Sequence, residues 1–193
     1  MVWHQTIGKG PIKVVVIHGW FWDHRVFEPI YDCIDGERFT YALIDIRGYG
    51  KSRGPGQSDP LSAPLYLDVL AAVRHLRKMG AKSVSVVGGS MGGGAAGDAS
   101  IASQPGEIDR LVLLGASPNG PAEKLNSSTL FIVARHDANE DGPRLPRIRE
   151  QYEKAPQPKA LIILDGSAHA QFLFQTDQAE RVMREILQFI SAK

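Results

Sequence analysis

Val84-Ser85-Val86-Val87-Gly88-Gly89-Ser90-Met91-Gly92-Gly93-Gly94 reads as a buried strand that enters a tight turn and leaves it as a helix. Three of its first four residues are valine, a residue that suits a pleated, packed surface. Gly88-Gly89-Ser90-Met91-Gly92 then fits G-x-S-x-G, in which a serine stands at the apex of a strained strand-to-helix turn. Glycines at the flanking positions let strand and helix approach closely enough to expose its hydroxyl. A helix beginning just after Ser90 aims its first N–H groups at the same spot, where they stabilise negative charge developing on a substrate oxygen. Taken alone, the stretch fits a glycine-rich turn with a filler serine equally well. The rest of the chain has to decide.

On the N-terminal side, Ile12-Lys13-Val14-Val15-Val16-Ile17 is nearly continuous in β-branched residues, as expected for a strand buried on both faces of a parallel sheet. It stops at His18-Gly19-Trp20. Val2 to Ile7 suits a short edge strand, and Tyr41-Ala42-Leu43-Ile44 another strand, followed by Asp45-Ile46-Arg47-Gly48-Tyr49-Gly50-Lys51-Ser52 and a Gly/Pro-rich loop to Pro60. Trp22, Val26, Phe27, Ile30 and Ile34 recur at helical spacing, which predicts a helix there despite Pro29. A second helix is expected from about Pro64 to Met79, ended by Gly80. The segment after Ser90, rich in Ala95, Ala96, Gly97, Ala99 and Ala102, predicts a helix small enough in side chain to pack tightly on the sheet.

Three further strands are read at Leu111 to Leu114, Leu130 to Val133 and Leu161 to Leu164. A helix around Leu145 to Lys154 separates the last two, and a closing helix spans about Gln178 to Ile190. Strand and helix alternate almost throughout, the pattern of an α/β domain with a mostly parallel sheet. Neither repeats nor an internal linker interrupts residues 1–193, so one domain is expected.

With 193 residues, 43% of them apolar, and 22 basic against 21 acidic side chains, the chain has the profile of a globular domain with a substantial core. A formal net charge of +1 gives no electrostatic case for nucleic acid or an anionic membrane; a small neutral molecule is the better partner. The one cysteine, Cys33, forms no intrachain disulfide and reads as an apolar filler. Without a basic N-terminal region followed by an apolar one, and without a run of membrane-spanning length, a cytoplasmic location is expected.

In an open parallel sheet ligands bind outside the carboxyl ends of the strands. Ser90 follows the strand ending at Val87, Ala134-Arg135-His136-Asp137 follows Val133, and Asp165-Gly166-Ser167-Ala168-His169 follows Leu164. A nucleophile, an orienting carboxylate and a general base thus emerge in that order on one rim. Asp141 lies on the same loop as Asp137 and is the alternative acid.

The sequence resembles the α/β-hydrolase fold family over nearly its whole length. Four motifs carry the resemblance: His18-Gly19-Trp20, Asp45 to Ser52, Gly88 to Gly92, and Gly166-Ser167-Ala168-His169. The order Ser, Asp, His is the one this family uses. The resemblance implies a three-layer α/β/α sandwich of about seven strands with no cap domain, since residues 115–129 are too short for the helical lid that many members insert. It makes Ser90 the nucleophile, His169 the base and Asp137 its orienting partner, with the backbone N–H groups of Met91 and Trp20 as the oxyanion hole. Ala134 departs from the glycine that the family often has three residues before the acid. His18 takes a structural part, His136 is a polar loop residue, and His4, His24 and His75 read as exposed. Trp20, Phe21 and Trp22 either line an acyl pocket or pack the first helix.

Two other glycine motifs fail on spacing. Gly92-Gly93-Gly94-Ala95-Ala96-Gly97 fits G-x-G-x-x-G, but begins five residues past Val87, inside the expected helix. Gly50-Lys51-Ser52 resembles the end of a phosphate-binding loop, but Asp45 occupies the place of its first glycine. No metal is expected from the histidine spacing, and no cofactor. The expected activity is hydrolysis of small to medium carboxylic esters or thioesters at a shallow, open site, by a monomer or a homodimer. A C–C hydrolase, an amidase, a cofactor-free perhydrolase or a non-catalytic binding protein on the same fold are the alternatives.

Overall fold

The computed structural model describes residues 2–33, 35–53 and 62–192; of residues 29–33 only the backbone is described. Most of the expected Gly/Pro-rich loop before Pro60, with Ile34 and the side chains of Ile30 and Cys33, lies outside what is described. Chain order is β1 (His4–Ile7), β2 (Ile12–Ile17), a 3-10 segment (His24–Cys33), β3 (Phe39–Ile44), α1 (Tyr66–Lys78), β4 (Val84–Gly89), α2 (Met91–Ala102) and β5 (Arg110–Leu114). It continues with β6 (Ser128–Ala134), a hairpin of β7 (Ala138–Asn139) and β8 (Gly142–Pro143), α3 (Arg144–Lys154), β9 (Lys159–Leu164), a 3-10 segment (Ala170–Gln175) and α4 (Ala179–Ser191).

Seven strands form one sheet in the order β1-β3-β2-β4-β5-β6-β9. Only β1 runs antiparallel to its neighbour. From β2 the chain moves to one side, to β3, and from β4 it moves to the other, so the strand order reverses between β2 and β4. A crevice opens at such a switch point, above the carboxyl ends of the strands.

Alternate residues of the central strands feed two cores. Val15, Ile17, Val86, Leu111, Leu113 and Phe131 face α1, α2 and α3, through Val69, Val73, Ala95, Ala99 and Ile148. Val14, Val16, Leu43, Val112, Leu114 and Ile132 face the other layer, through Phe27, Leu173, Val182, Ile186 and Ile190. Both faces are covered, which is why the strand sequences read as unbroken apolar runs rather than as alternations. Each of the larger of these side chains contributes about 1.5–3 kcal/mol by leaving water.

The expected helix over Trp22 to Ile34 forms as a 3-10 segment from His24 to Cys33. Pro29 has no N–H to donate, which removes one rung of an α-helix from the middle of the segment. Of its apolar positions Phe27 is buried, whereas Trp22 is 45% exposed. No helix among the described residues is long and apolar enough to cross a membrane.

Candidate active site

At the switch point β4 ends at Gly89 and α2 begins at Met91, which leaves Ser90 alone to make the turn and forces it to φ 54°, ψ −120°. Backbone crowding makes the turn possible only with glycines on both sides. A Cβ on Gly88 would lie 2.5 Å from the Gly92 carbonyl oxygen, and one on Gly92 would collide with the carbonyl of His18. The Ser90 N–H is held by the Leu114 carbonyl at 3.0 Å. Its side chain is left to point outward at the head of the helix.

β6 and β9 deliver the other two groups. Asp137 closes a turn onto the Ala134 carbonyl (3.1 Å), and the loop after β9 is tied alongside by His136 N–H donating to Gly166 (2.9 Å). Alanine at 134 is fully buried and accommodates this turn. The Ser90 hydroxyl donates to His169 Nε2 at 2.8 Å, and His169 Nδ1–H donates to Asp137 Oδ2 at 2.8 Å. The carboxylate is almost wholly buried and the imidazole about one quarter exposed. Asp141 does not share in this chain: it is exposed and accepts from Asn139 Nδ2 at 3.1 Å. Asp165 faces outward, paired loosely with Arg135.

Met91, the first residue of α2, has an N–H with no helical carbonyl a turn behind it. The His18-Gly19-Trp20 segment packs against the same serine, since a Cβ on Gly19 would sit 3.3 Å from Ser90 Cβ. Three non-glycine residues have positive φ among those described: Phe21 (64°), Ser90 (54°) and Ala170 (51°). Each neighbours a sequence-predicted site residue or is one. Backbone strain of this kind costs on the order of 1–3 kcal/mol per residue and collects at functional sites.

The loop bearing Asp45 to Ser52 is a brace for the site. His18 Nδ1–H donates to its neighbour's carbonyl at Gly19 (2.8 Å) while Nε2 accepts the Ile46 N–H (3.1 Å), so the ring is a neutral, fully buried strut. Burial pushes its pKa below the ordinary histidine value. Arg47 clamps buried Asp68 of α1 through Nε and Nη2, the latter at 2.6 Å. His24, expected to be exposed, is instead buried, with its backbone N–H and its Nδ1–H both donating to Asp45 Oδ1 at 2.8 Å. Buried Asp45 requires those donors, and a partner 21 positions away leaves no trace in local sequence.

Asp23, His24 and Asp45 are the cluster of metal-ligand residue types among the described residues, with ligand atoms within 4.8 Å of one another. The oxygens of both carboxylates are already engaged. Asp45 Oδ2 accepts Lys51 N–H, and Arg25 grips Asp23, holding its carboxyl down at about 2.

A cavity of about 680 Å³ opens over Ser90, walled by Trp20, Met91, Asp98, Asn119, Arg144 and Arg147 among others. Phe21 and Trp22 stand outside that lining. Phe21 stacks on Trp20 (4.8 Å) and Trp22 meets Phe172 edge-on (5.5 Å). Three neighbours of the site were not anticipated from sequence. Gly115, at φ +57°, leaves room for Asp137 and His169, because a Cβ there would lie 2.9 Å from Asp137 Oδ2 and 3.0 Å from His169 Nδ1. Gln171 is buried between Gly19 and Gly89, its Oε1 without a hydrogen-bond partner among the described residues. Arg144 faces Asp137 Oδ1 at 3.4 Å.

A family model described as alpha/beta hydrolase fold matches residues 13–176. Two curated proteins, the pimeloyl-[acyl-carrier protein] methyl ester esterases of Cronobacter sakazakii and Klebsiella pneumoniae, are 33% and 30% identical over 120 residues. The match takes in 61% of this chain but 41% of each of theirs, so the chain spans well under half the length of these relatives. Among solved structures, a meta-cleavage product hydrolase from Pseudomonas fluorescens superposes with a TM-score of 0.79 at 14% identity, covering 97% of this chain and 93% of that one. An esterase from Exiguobacterium antarcticum gives 0.76 at 17% identity, covering 99% and 96%. At these identities the two structures speak for the fold.

Proposed function

The chain belongs to the alpha/beta hydrolase fold family, and from that premise we propose that it is a serine hydrolase cleaving small to medium carboxylic esters or thioesters through an acyl-enzyme on Ser90. The observation that carries the reading is the continuous hydrogen-bonded chain Ser90 Oγ, His169 Nε2, His169 Nδ1, Asp137 Oδ2, with both links at 2.8 Å. Neutral imidazole takes the serine proton as Oγ attacks the ester carbonyl, then gives it to the departing alcohol or thiol; Asp137 keeps the ring in the required tautomer and stabilises the imidazolium. Water attacks the acyl-enzyme by the same route in reverse.

The oxyanion formed at each addition is received by the N–H groups of Met91 and Trp20. Losing one such donor typically costs about 2.7–4 kcal/mol of transition-state stabilisation. Trp20 also forms part of the acyl wall, since it lines the cavity; Phe21 supports it by stacking, whereas Trp22 packs on Phe172. An ester as the scissile bond is favoured by the methyl ester esterases among the relatives.

Labelling with a fluorophosphonate probe tests the reading directly. Native protein should be modified at Ser90, and the Ser90→Ala variant should stay unmodified. Absence of label on folded native protein removes the nucleophile from the proposal.

A further inference from the structure

His169 occupies one oxygen of Asp137, and the other oxygen is just as deeply buried. The geometry points to Arg144 as a positioning residue of the hydrolytic site, pairing with the Asp137 oxygen that His169 leaves over. This role rests on the hydrolytic reading of Ser90 given above. Between the two residues lies the β7–β8 hairpin, which turns the chain back so that α3 opens at Arg144, against the loop it has just left. The Arg144 N–H donates to the Asp137 carbonyl at 2.9 Å, and its Nε stands 3.4 Å from Oδ1. Asp137 Oδ1 and Arg144 Nε are both buried, and neither has a hydrogen-bond partner among the described residues. What each has is the other.

A carboxylate with only 1% of its side chain exposed must have both oxygens answered. With Arg144 in place the carboxylate is held from two sides, and the plane that orients His169 is fixed. Without it, Oδ1 is an isolated buried acceptor, the group is free to turn, and the imidazole loses its register with Ser90. Other charges around the pair are committed elsewhere or lie further out. Asp141 is engaged by Asn139, Asp98 by Asn119, and Arg135 by Asp165, while His136 is exposed and Arg147 stands on the cavity wall.

Two variants, Arg144→Gln and Arg144→Lys, separate this role from mere packing, with folding checked by thermal melting. The rate of Ser90 labelling by fluorophosphonate is followed together with kcat and KM for p-nitrophenyl acetate. In Arg144→Gln labelling should slow by between about ten- and a hundredfold, the loss expected when a catalytic group is slightly misplaced, and kcat should fall with it while KM stays within about twofold of the wild type. In Arg144→Lys a cation again faces Asp137, so labelling and kcat should both recover in part. A wild-type labelling rate and a wild-type kcat in Arg144→Gln overturn the role. A loss confined to KM, or a loss that Arg144→Lys does not reduce, overturns it as well. If Arg144→Gln does not fold, Arg144→Lys decides: a lowered kcat at unchanged KM supports the role, and an unchanged kcat overturns it. Failure of wild-type Ser90 to label overturns the hydrolytic reading instead, whatever the variants do.

Discussion

His18 shows how a residue next to the chemistry serves it without taking part. Its ring is fully buried, donates through Nδ1 and accepts through Nε2, so it joins the end of β2 to the loop after β3 only while neutral. The sign of its effect on stability follows from its lowered pKa. Between that lowered value and about 6.5, the unfolded chain binds a proton at this position that the folded chain does not. Stability is therefore full above about pH 6.5 and declines as the pH falls below it. Urea-unfolding midpoints measured at pH 7.5, 6.5 and 5.5 should drop more steeply in the wild type than in His18→Gln. Parallel curves would assign the acid sensitivity to other groups. The structural part of His18 was implied by the family resemblance, whereas nothing in the sequence pointed to Gly115, Gln171 or Arg144. Each of those acts through a contact with a residue distant in sequence, and neither composition nor periodicity records such a contact.

Elements were legible to the degree that burial wrote them into the chain. β2, β4, β5 and β6 are covered on both faces, so their apolar runs are long and β-branched or leucine-rich. The β7–β8 hairpin has two residues per strand, too few for any pattern, and yet it is what carries Arg144 to Asp137. The 3-10 segment from His24 to Cys33 has helical apolar spacing, and only the missing N–H of Pro29 tells against an α-helix. α2 is the element on which the site depends most. Its first turn lies so close to β2 that a methyl group at position 92 would meet the His18 carbonyl oxygen and Ile17 Cγ2, the latter at 2.7 Å. Since these are backbone and core atoms, the helix has to move rather than the obstacle. Gly92→Ala should cost about 1–3 kcal/mol, the usual penalty of overpacking, although alanine is the better helix former. Thermal denaturation should show a Tm lower by roughly 2–4 °C per kcal/mol in a chain of this size, accompanied by slowed Ser90 labelling. A variant as stable and as readily labelled as the wild type would mean that the close approach of α2 to β2 is unnecessary.

For the molecule as a whole, alternation of strands and helices was enough to anticipate a covered parallel sheet, and the family resemblance with the short connection between β5 and β6 to anticipate that no helical lid is inserted there. That connection carries one three-residue turn, Ala122–Lys124, whose Ala122 is buried along with the following Leu125, and Asp98 of α2 ties it down through Asn119 and Gly120. Its first part, through Asn119, walls one side of the cavity and packs on α2 at Gly94 and Gly97, and Trp20, 43% exposed, is left facing the opening. An acyl chain bound there keeps much of its length in water. A pocket that enclosed the chain would gain about 0.8 kcal/mol for each buried methylene, which is about a fourfold rise in kcat/KM per carbon, or roughly several thousandfold between a two-carbon and an eight-carbon acyl group. Open walls recover only a fraction of this. Across p-nitrophenyl esters from acetate to octanoate, kcat/KM should therefore rise by less than about a hundredfold, and emulsified long-chain triglyceride should be a poorer substrate than the short aryl esters. A rise approaching fourfold per carbon, or a clear preference for the triglyceride, would require walls that this connection does not supply; a thioester and an anilide assayed beside the series would show in the same experiment which acyl bond the site prefers.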